Sequence, residues 1–181
     1  MKWIIVLVIV AIVLYAVVVR NGLVRYRNRV ENSWAQIDVQ LKRRADLIPN
    51  LLETVKAYAA HERETLDAVV KARNAAVSAS TPAAASAADA QMSGALGRLF
   101  ALSEAYPDLK ANQNFLALQE ELTATEDKVG YARQAYNDSV TGYNTKIQQL
   151  PGSLFASRMG FRAREYFQAD EASKAAPKLQ F

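Results

Sequence analysis

The sequence predicts an all-α protein: an N-terminal transmembrane helix that continues into a long kinked helix, then an antiparallel, coiled-coil-like bundle of about four helices. Three observations carry this. Trp3 to Val19 is an unbroken apolar run. Beyond it, apolar residues step by threes and fours in two long registers, the spacing of helices packed along a seam. No stretch shows the apolar-polar alternation of a half-buried strand.

The first element is WIIVLVIVAIVLYAVVV, Trp3 to Val19. At 1.5 Å per residue it covers about 25 Å, just short of a bilayer core of about 30 Å. Trp3 and Arg20 flank it and suit the two interfaces. A cleaved leader would need a small-x-small site after the run. VVVRNGLVRYR follows instead, so a retained anchor is expected. Lys2 lies on one side, and Arg20, Arg25, Arg27 and Arg29 on the other. This count favours a cytoplasmic helical domain, the opposite side remaining open. The same four arginines are candidate contacts for anionic lipid. Ordinary solvated helix charges would explain them equally well.

The net charge is +4. Residues 20–44 hold seven basic residues against Glu31 and Asp38, a net +5, and Lys2 adds one more, which leaves 45–181 at −2. The basic excess belongs to a juxtamembrane stem. A duplex-binding protein carries it on the folded body, so no nucleic-acid partner is expected.

The second element is a helix from the anchor to about Ser78. Val30, Trp34, Ile37, Leu41, Ala45, Ile48, Leu52, Val55, Ala59, Glu62, Leu66 and Val69 form its seam, and only Glu62 is polar. Pro49 sits inside this pattern. A proline removes one backbone donor and clashes with the carbonyl four residues back, here Ala45, at about 3 kcal/mol. The seam stays in phase across it, which favours one kinked helix. Arg43, Asp46, Asn50 and Glu53 form a polar stripe beside the kink. Asp46 is placed to bridge Arg43 and Asn50, and the row to serve the carbonyls the kink releases. The alternative is that Asp46 caps a new helix.

Ser80 to Gly94 opens as a small-residue loop around Pro82, and a helix begins within it and runs to Tyr106. Pro107 ends that helix and Asp108 starts a third, which stops at Leu150 before Pro151-Gly152. Its seam is Phe115, Leu118, Leu122, Thr125, Val129, Ala132, Tyr136, Val140, Tyr143, Ile147 and Leu150. Ser153 to Phe167 reads as a short fourth helix, placed either on the bundle end or on lipid. The resulting plan is an anchor over 1–20, a basic stem over 21–48, a bundle over 49–168 and a tail over 169–181.

RRADLIPNLLETVKAYAAHE (Arg43 to Glu62) resembles the signature of the LemA family. So does ANQNFLALQEELTATEDKVGYARQAYNDSVTGYN (Ala111 to Asn144), with the Leu-Pro at 150–151 and Gly-Phe at 160–161. The resemblance implies a bacterial single-pass protein of the cytoplasmic membrane with an antiparallel helical domain. It implies no particular chemistry.

A helix from Pro49 to Ser78 would span about 45 Å, and one over 84–106 about 35 Å. The second would end near the level of Pro49, leaving nothing to cover Val30, Trp34, Ile37 and Leu41. These four are therefore the candidate seam of a homo-oligomer. Asparagines 137 and 144, seven apart beside the third seam, either set register or stay solvated.

Sites for chemistry are sparse. There is no cysteine, and His61 is the single histidine, so a bundle di-metal site built on Glu-x-x-His pairs cannot form. Thiolate zinc sites are excluded, and no Gly-rich phosphate loop occurs. No catalytic, metal or cofactor residue is expected. The expected function is a membrane-anchored scaffold that self-associates and meets membrane or cytoplasmic protein partners. Alternatives are an anionic-lipid-binding or membrane-shaping module using the stem and residues 153–167, and, remotely, an enzyme.

Overall fold

The computed structural model describes residues 1–167; the tail expected over 169–181 lies outside them. Among the described residues there are six helices and no strand. They are α1 (Lys2–Ala59), α2 (Arg63–Ser78), α3 (Pro82–Ser103), α4 (Pro107–Lys110), α5 (Gln113–Gln148) and α6 (Gly152–Ala156).

α1 is one uninterrupted helix of 58 residues, with Pro49 inside it. At 1.5 Å per residue it measures about 87 Å. Its N-terminal stretch is long and apolar enough to cross a membrane, and none of that stretch is buried.

The helix expected to reach Ser78 stops at Ala59 instead. Residues 60–62 turn, with the Glu62 N–H donating to the Ala59 carbonyl, and α2 folds back. The seam stays in phase because both sides of the reversal face one core, so Leu66, Val69 and Ala72 join Ile48, Leu52 and Val55. Glu62, the one polar seam residue, marks the bend. His61 is exposed there, in the turn and not on a helix.

Local chemistry sets the other boundaries. Thr81 caps α3, its Oγ1 accepting from the Ala84 N–H at 3.2 Å, with Pro82 as first helical residue. Pro107 opens the short α4. Asn112 caps α5 through Oδ1, which accepts from the Phe115 N–H at 3.1 Å. The fourth helix expected over Ser153–Phe167 is only Gly152–Ala156. The turn that follows stops at Gly160, whose φ of +76° suits a residue without Cβ. The Phe161 N–H donates to Ala156 and the Gly160 N–H to Ser157. This is the paired Schellman closure of a helix end, and residues 161–167 form neither helix nor strand.

The chain divides into two compact units that α1 and α5 both enter. Among the described residues, unit 1 comprises Met1–Ala35 and Gln134–Tyr166, and unit 2 comprises Gln36–Arg133 with Phe167. The boundary at Ala35 falls inside the stem expected over 21–48. In unit 2, Ile48, Leu51, Val55, Met92, Leu99 and Phe115 centre a continuous apolar core. In unit 1, Leu23, Val30, Val140, Tyr143 and Phe161 are buried, and Trp34 meets Tyr136 with ring centroids 5.7 Å apart.

Candidate functional site

Pro49 leaves the carbonyl of Ala45 without its helical donor. The partner is not the polar stripe. Arg73 of α2 donates from Nε to the Ala45 oxygen at 3.2 Å. Arg43 turns to α5 and donates to Glu121 Oε1 at 2.7 Å, an exposed pair worth little to stability. Asn50 and Glu53 are exposed. Asp46 is exposed and lines a groove of about 410 Å³ with Asp38, Lys42, Arg73 and Val77. The proposed bridge from Asp46 to Arg43 and Asn50 is therefore corrected: the stripe points to several neighbours, because α2 returns beside α1 and supplies the missing donor. Arg73→Leu is expected to cost about 1–2 kcal/mol, the usual penalty for an orphaned carbonyl. In a Pro49→Ala background, where residue 49 again carries an N–H, the loss should shrink; urea titration of the four proteins measures that coupling.

Unit 2 also holds a buried charge cluster. Arg44 is 2 % exposed. Its Nη1 donates to Asp89 Oδ1 at 2.7 Å and its Nη2 to Ser93 Oγ at 3.1 Å. Glu126 Oε2 lies 3.4 Å from Nη2, and Ser93 donates to Glu126 Oε1 at 2.9 Å. One guanidinium thereby ties α1 to α3 and α5, while its Nε is buried without a hydrogen-bond partner. Burial pushes the Asp89 carboxyl above the usual carboxylate range, against the pull of Arg44. By position in the sequence Arg44 is one of the basic residues of the stem. The missed signal was its place: Val30, Ile37, Arg44 and Leu51 are seven apart and all buried, so Arg44 occupies a seam position, where a charge needs partners.

The candidate oligomer seam is already covered within the chain. Val30 is 3 % and Ile37 0 % exposed, and Trp34 and Leu41 are half-buried. The expectation that nothing remains to cover them is corrected, because α5 returns beside Trp34 and Leu41 lines a groove with Ala76 of α2 and Ala85 of α3. In unit 1 this is direct: Ser33 and Ser139 hydroxyls meet at 3.0 Å, and Trp34 packs on Tyr136.

After Gly160 the chain lies along α5 as a strap, through residues 164 and 165. Asn144, 8 % exposed, donates from Nδ2 to the Arg164 carbonyl and accepts from the Arg164 N–H, both at 2.9 Å. The Tyr136 hydroxyl donates to the Glu165 carbonyl at 2.8 Å. Asn144 is thus neither a register residue between copies nor a solvated edge. Of the candidate lipid contacts, Arg20, Arg25 and Arg29 are exposed. Arg27 is not free: it lies 5.7 Å over the Phe161 ring and 3.8 Å from Glu31, and Arg164 donates to the same carboxylate at 3.2 Å. Burial raises the pKa of Tyr136 and Tyr143 above the ordinary tyrosine value, so both phenols stay protonated at neutral pH.

Among the described residues no group of three or more His, Asp or Glu side chains is placed to hold a metal. The LemA family profile matches residues 33–181, most of the chain. The chain belongs to the LemA family. Protein LemA of Metamycoplasma hominis is 28 % identical over 159 residues, 86 % of this chain and 71 % of that protein. Magnetosome protein MamQ 2 of Paramagnetospirillum magneticum is 34 % identical over 85 residues, 47 % of this chain and 31 % of that one. Magnetosome protein MamQ of Magnetospirillum gryphiswaldense is 34 % identical over 80 residues, 44 % and 29 %. The match to the magnetosome proteins thus spans about three-tenths of their length. Together with the exposed apolar stretch of α1, this LemA-family chain fits a single-pass, membrane-associated protein.

Proposed function

We propose that this chain is a membrane-anchored scaffold. It holds folded helices at a bilayer surface, binds partner proteins and copies of itself through exposed faces, and carries out no chemistry of its own. One observation supports this above the others: the charged groups inside the fold are committed to holding helices together. Arg44 and Asp89 join α1 to α3, and Glu126 adds α5 to the same cluster. A catalytic site instead aims such groups into a cleft that a substrate can enter.

The faces offered outward include Val70 and Val77 of α2, seven residues apart and 37 % and 62 % exposed. Self-association is assigned to this face, since the stem seam is occupied. The arginines that follow the anchor favour the cytoplasmic side. The test is mass photometry of the whole chain in detergent over a range of concentrations. Oligomers that dissociate in Val70→Lys/Val77→Lys are expected. A monomer at every concentration would overturn self-association, and stoichiometric metal in the purified protein would overturn the absence of chemistry. A second reading, contact with anionic lipid, is compatible with the first and is favoured by charge: α1 carries Arg20, Arg25, Arg27 and Arg29 before its first acid, Glu31.

A further inference from the structure

We propose that the turn joining α5 to α6, together with α6 itself, is a lipid-interface site with Leu150 and Leu154 at its surface. In it, two leucines enter the headgroup region beside the anchor, and cations around them meet anionic lipid. The proposal rests on reading Trp3–Val19 as a membrane span, and deepens the lipid reading by naming the residues that touch the bilayer.

Two registers within unit 1 place the loop. A Cβ on Gly142 would lie 3.4 Å from the Tyr26 ring, so α5 passes α1 there. α5 runs antiparallel to α1, since Trp34 meets Tyr136 while Tyr26 meets Gly142. Its last residue, Gln148, is about 9 Å further on, which sets it level with Arg20, the first residue past the apolar run. The strap gives the second register. Phe161 lies under Arg27 and Arg164 beside Glu31, so it climbs parallel to α1, and the chain before it lies nearer the anchor. Both place residues 149–156 at the foot of unit 1, where the span ends.

Two apolar side chains are exposed at that foot, Leu150 at 74 % and Leu154 at 62 %. Leu150 continues the α5 seam by spacing, yet it alone of that seam's large residues is turned fully outward. The loop is held close: a Cβ on Gly152 would stand 2.1 Å from the Lys146 carbonyl oxygen, which only glycine permits. Charge then distinguishes lipid from another occupant. Arg20, Lys146 and Arg158 are exposed around the foot, and Arg25 is exposed about 7.5 Å above it. The acids of the described unit, Glu31, Asp138 and Glu165, all fall at the level of Val30 or beyond, about 15 Å away. Apolar tips within a purely cationic ring match an anionic bilayer interface.

The chain has no cysteine, so single cysteines can report depth. The whole chain is reconstituted in phosphatidylcholine/phosphatidylglycerol vesicles with a polarity-sensitive fluorophore at Leu150→Cys, Leu154→Cys, Val10→Cys or Ala35→Cys, and quenched by lipids spin-labelled at shallow or deep positions. Labels at 150 and 154 are expected to lose fluorescence chiefly to shallow quenchers, Val10 to deep ones and Ala35 to neither. Replacing phosphatidylglycerol by phosphatidylcholine should reduce the loss at 150 and 154 and leave Val10 unchanged. Labels at 150 and 154 as silent as Ala35, with Val10 quenched, would overturn the site and leave the anchor standing. An unquenched Val10 would overturn the anchor and the site together. Equal quenching in both vesicle types would overturn the role of the cations.

Discussion

Arg44→Met is expected to destabilise the protein by about 3–5 kcal/mol, the scale seen when one partner of a buried ion pair is removed. The methionine fills much of the volume but leaves the Asp89 carboxylate enclosed, with a side chain 13 % exposed and no cation against it. Glu126 is half exposed and keeps its water. Replacing both members, as in Arg44→Met/Asp89→Leu, should recover most of the loss, because an apolar pair of similar volume often matches a buried ion pair. The pH dependence follows. Asp89 already sits above its ordinary value of 3.8 because it is buried, and losing Arg44 moves it further up. A carboxyl whose folded pKa exceeds its unfolded one gives stability that is present at low pH and lost as the pH rises through the folded value. The deficit of Arg44→Met should therefore shrink as the pH falls from neutrality toward the carboxylate range, while the double variant shows no such recovery. Urea titration in detergent, followed by far-UV circular dichroism at several pH values, measures both effects.

Ile37→Ala is expected to cost about 2–5 kcal/mol, as for other large-to-small changes at fully buried sites. Ile37 is 0 % exposed in a single chain. The loss should therefore not depend on protein concentration. Were Ile37 sheltered between copies, the unfolding midpoint of the parent would rise with concentration and the variant would dissociate before unfolding. In the Val70→Lys/Val77→Lys background, where the outward face is blocked, a midpoint that still rises with concentration would show that the stem seam is shared between molecules.

These two positions also show what the sequence made legible. Periodicity found the helices, because a seam that packs must repeat every three or four residues. It did not find the reversal at residues 60–62, because a helix that folds back onto the same core keeps its apolar residues in step. The identical argument was right at Pro49 and wrong at Glu62. The difference lay in one polar residue on the seam, against a proline whose orphaned carbonyl found Arg73. Arg73 and Asp89 gave no local sign, since each acts only through a residue far off in sequence. Arg44 did give one, by occupying a heptad position that Ile37 and Leu51 fill with apolar side chains. The strap escaped because Ser153–Phe167 has helical composition, and a single glycine at 160 ends the helix early.

The interleaving of unit 1 sets an order on synthesis. Its first piece ends at Ala35 and its second begins at Gln134, so the ribosome must translate the intervening stretch before Ser139 can reach Ser33 or Arg164 can reach Glu31. At roughly 5–20 residues per second this is a delay of several seconds. During it the apolar stretch of α1 is already available to the insertion machinery, while Leu23 and Val30 have nothing from α5 to shelter them. A nascent chain arrested near residue 130 should be more open to protease at this stem, and more dependent on chaperones, than one released at its end.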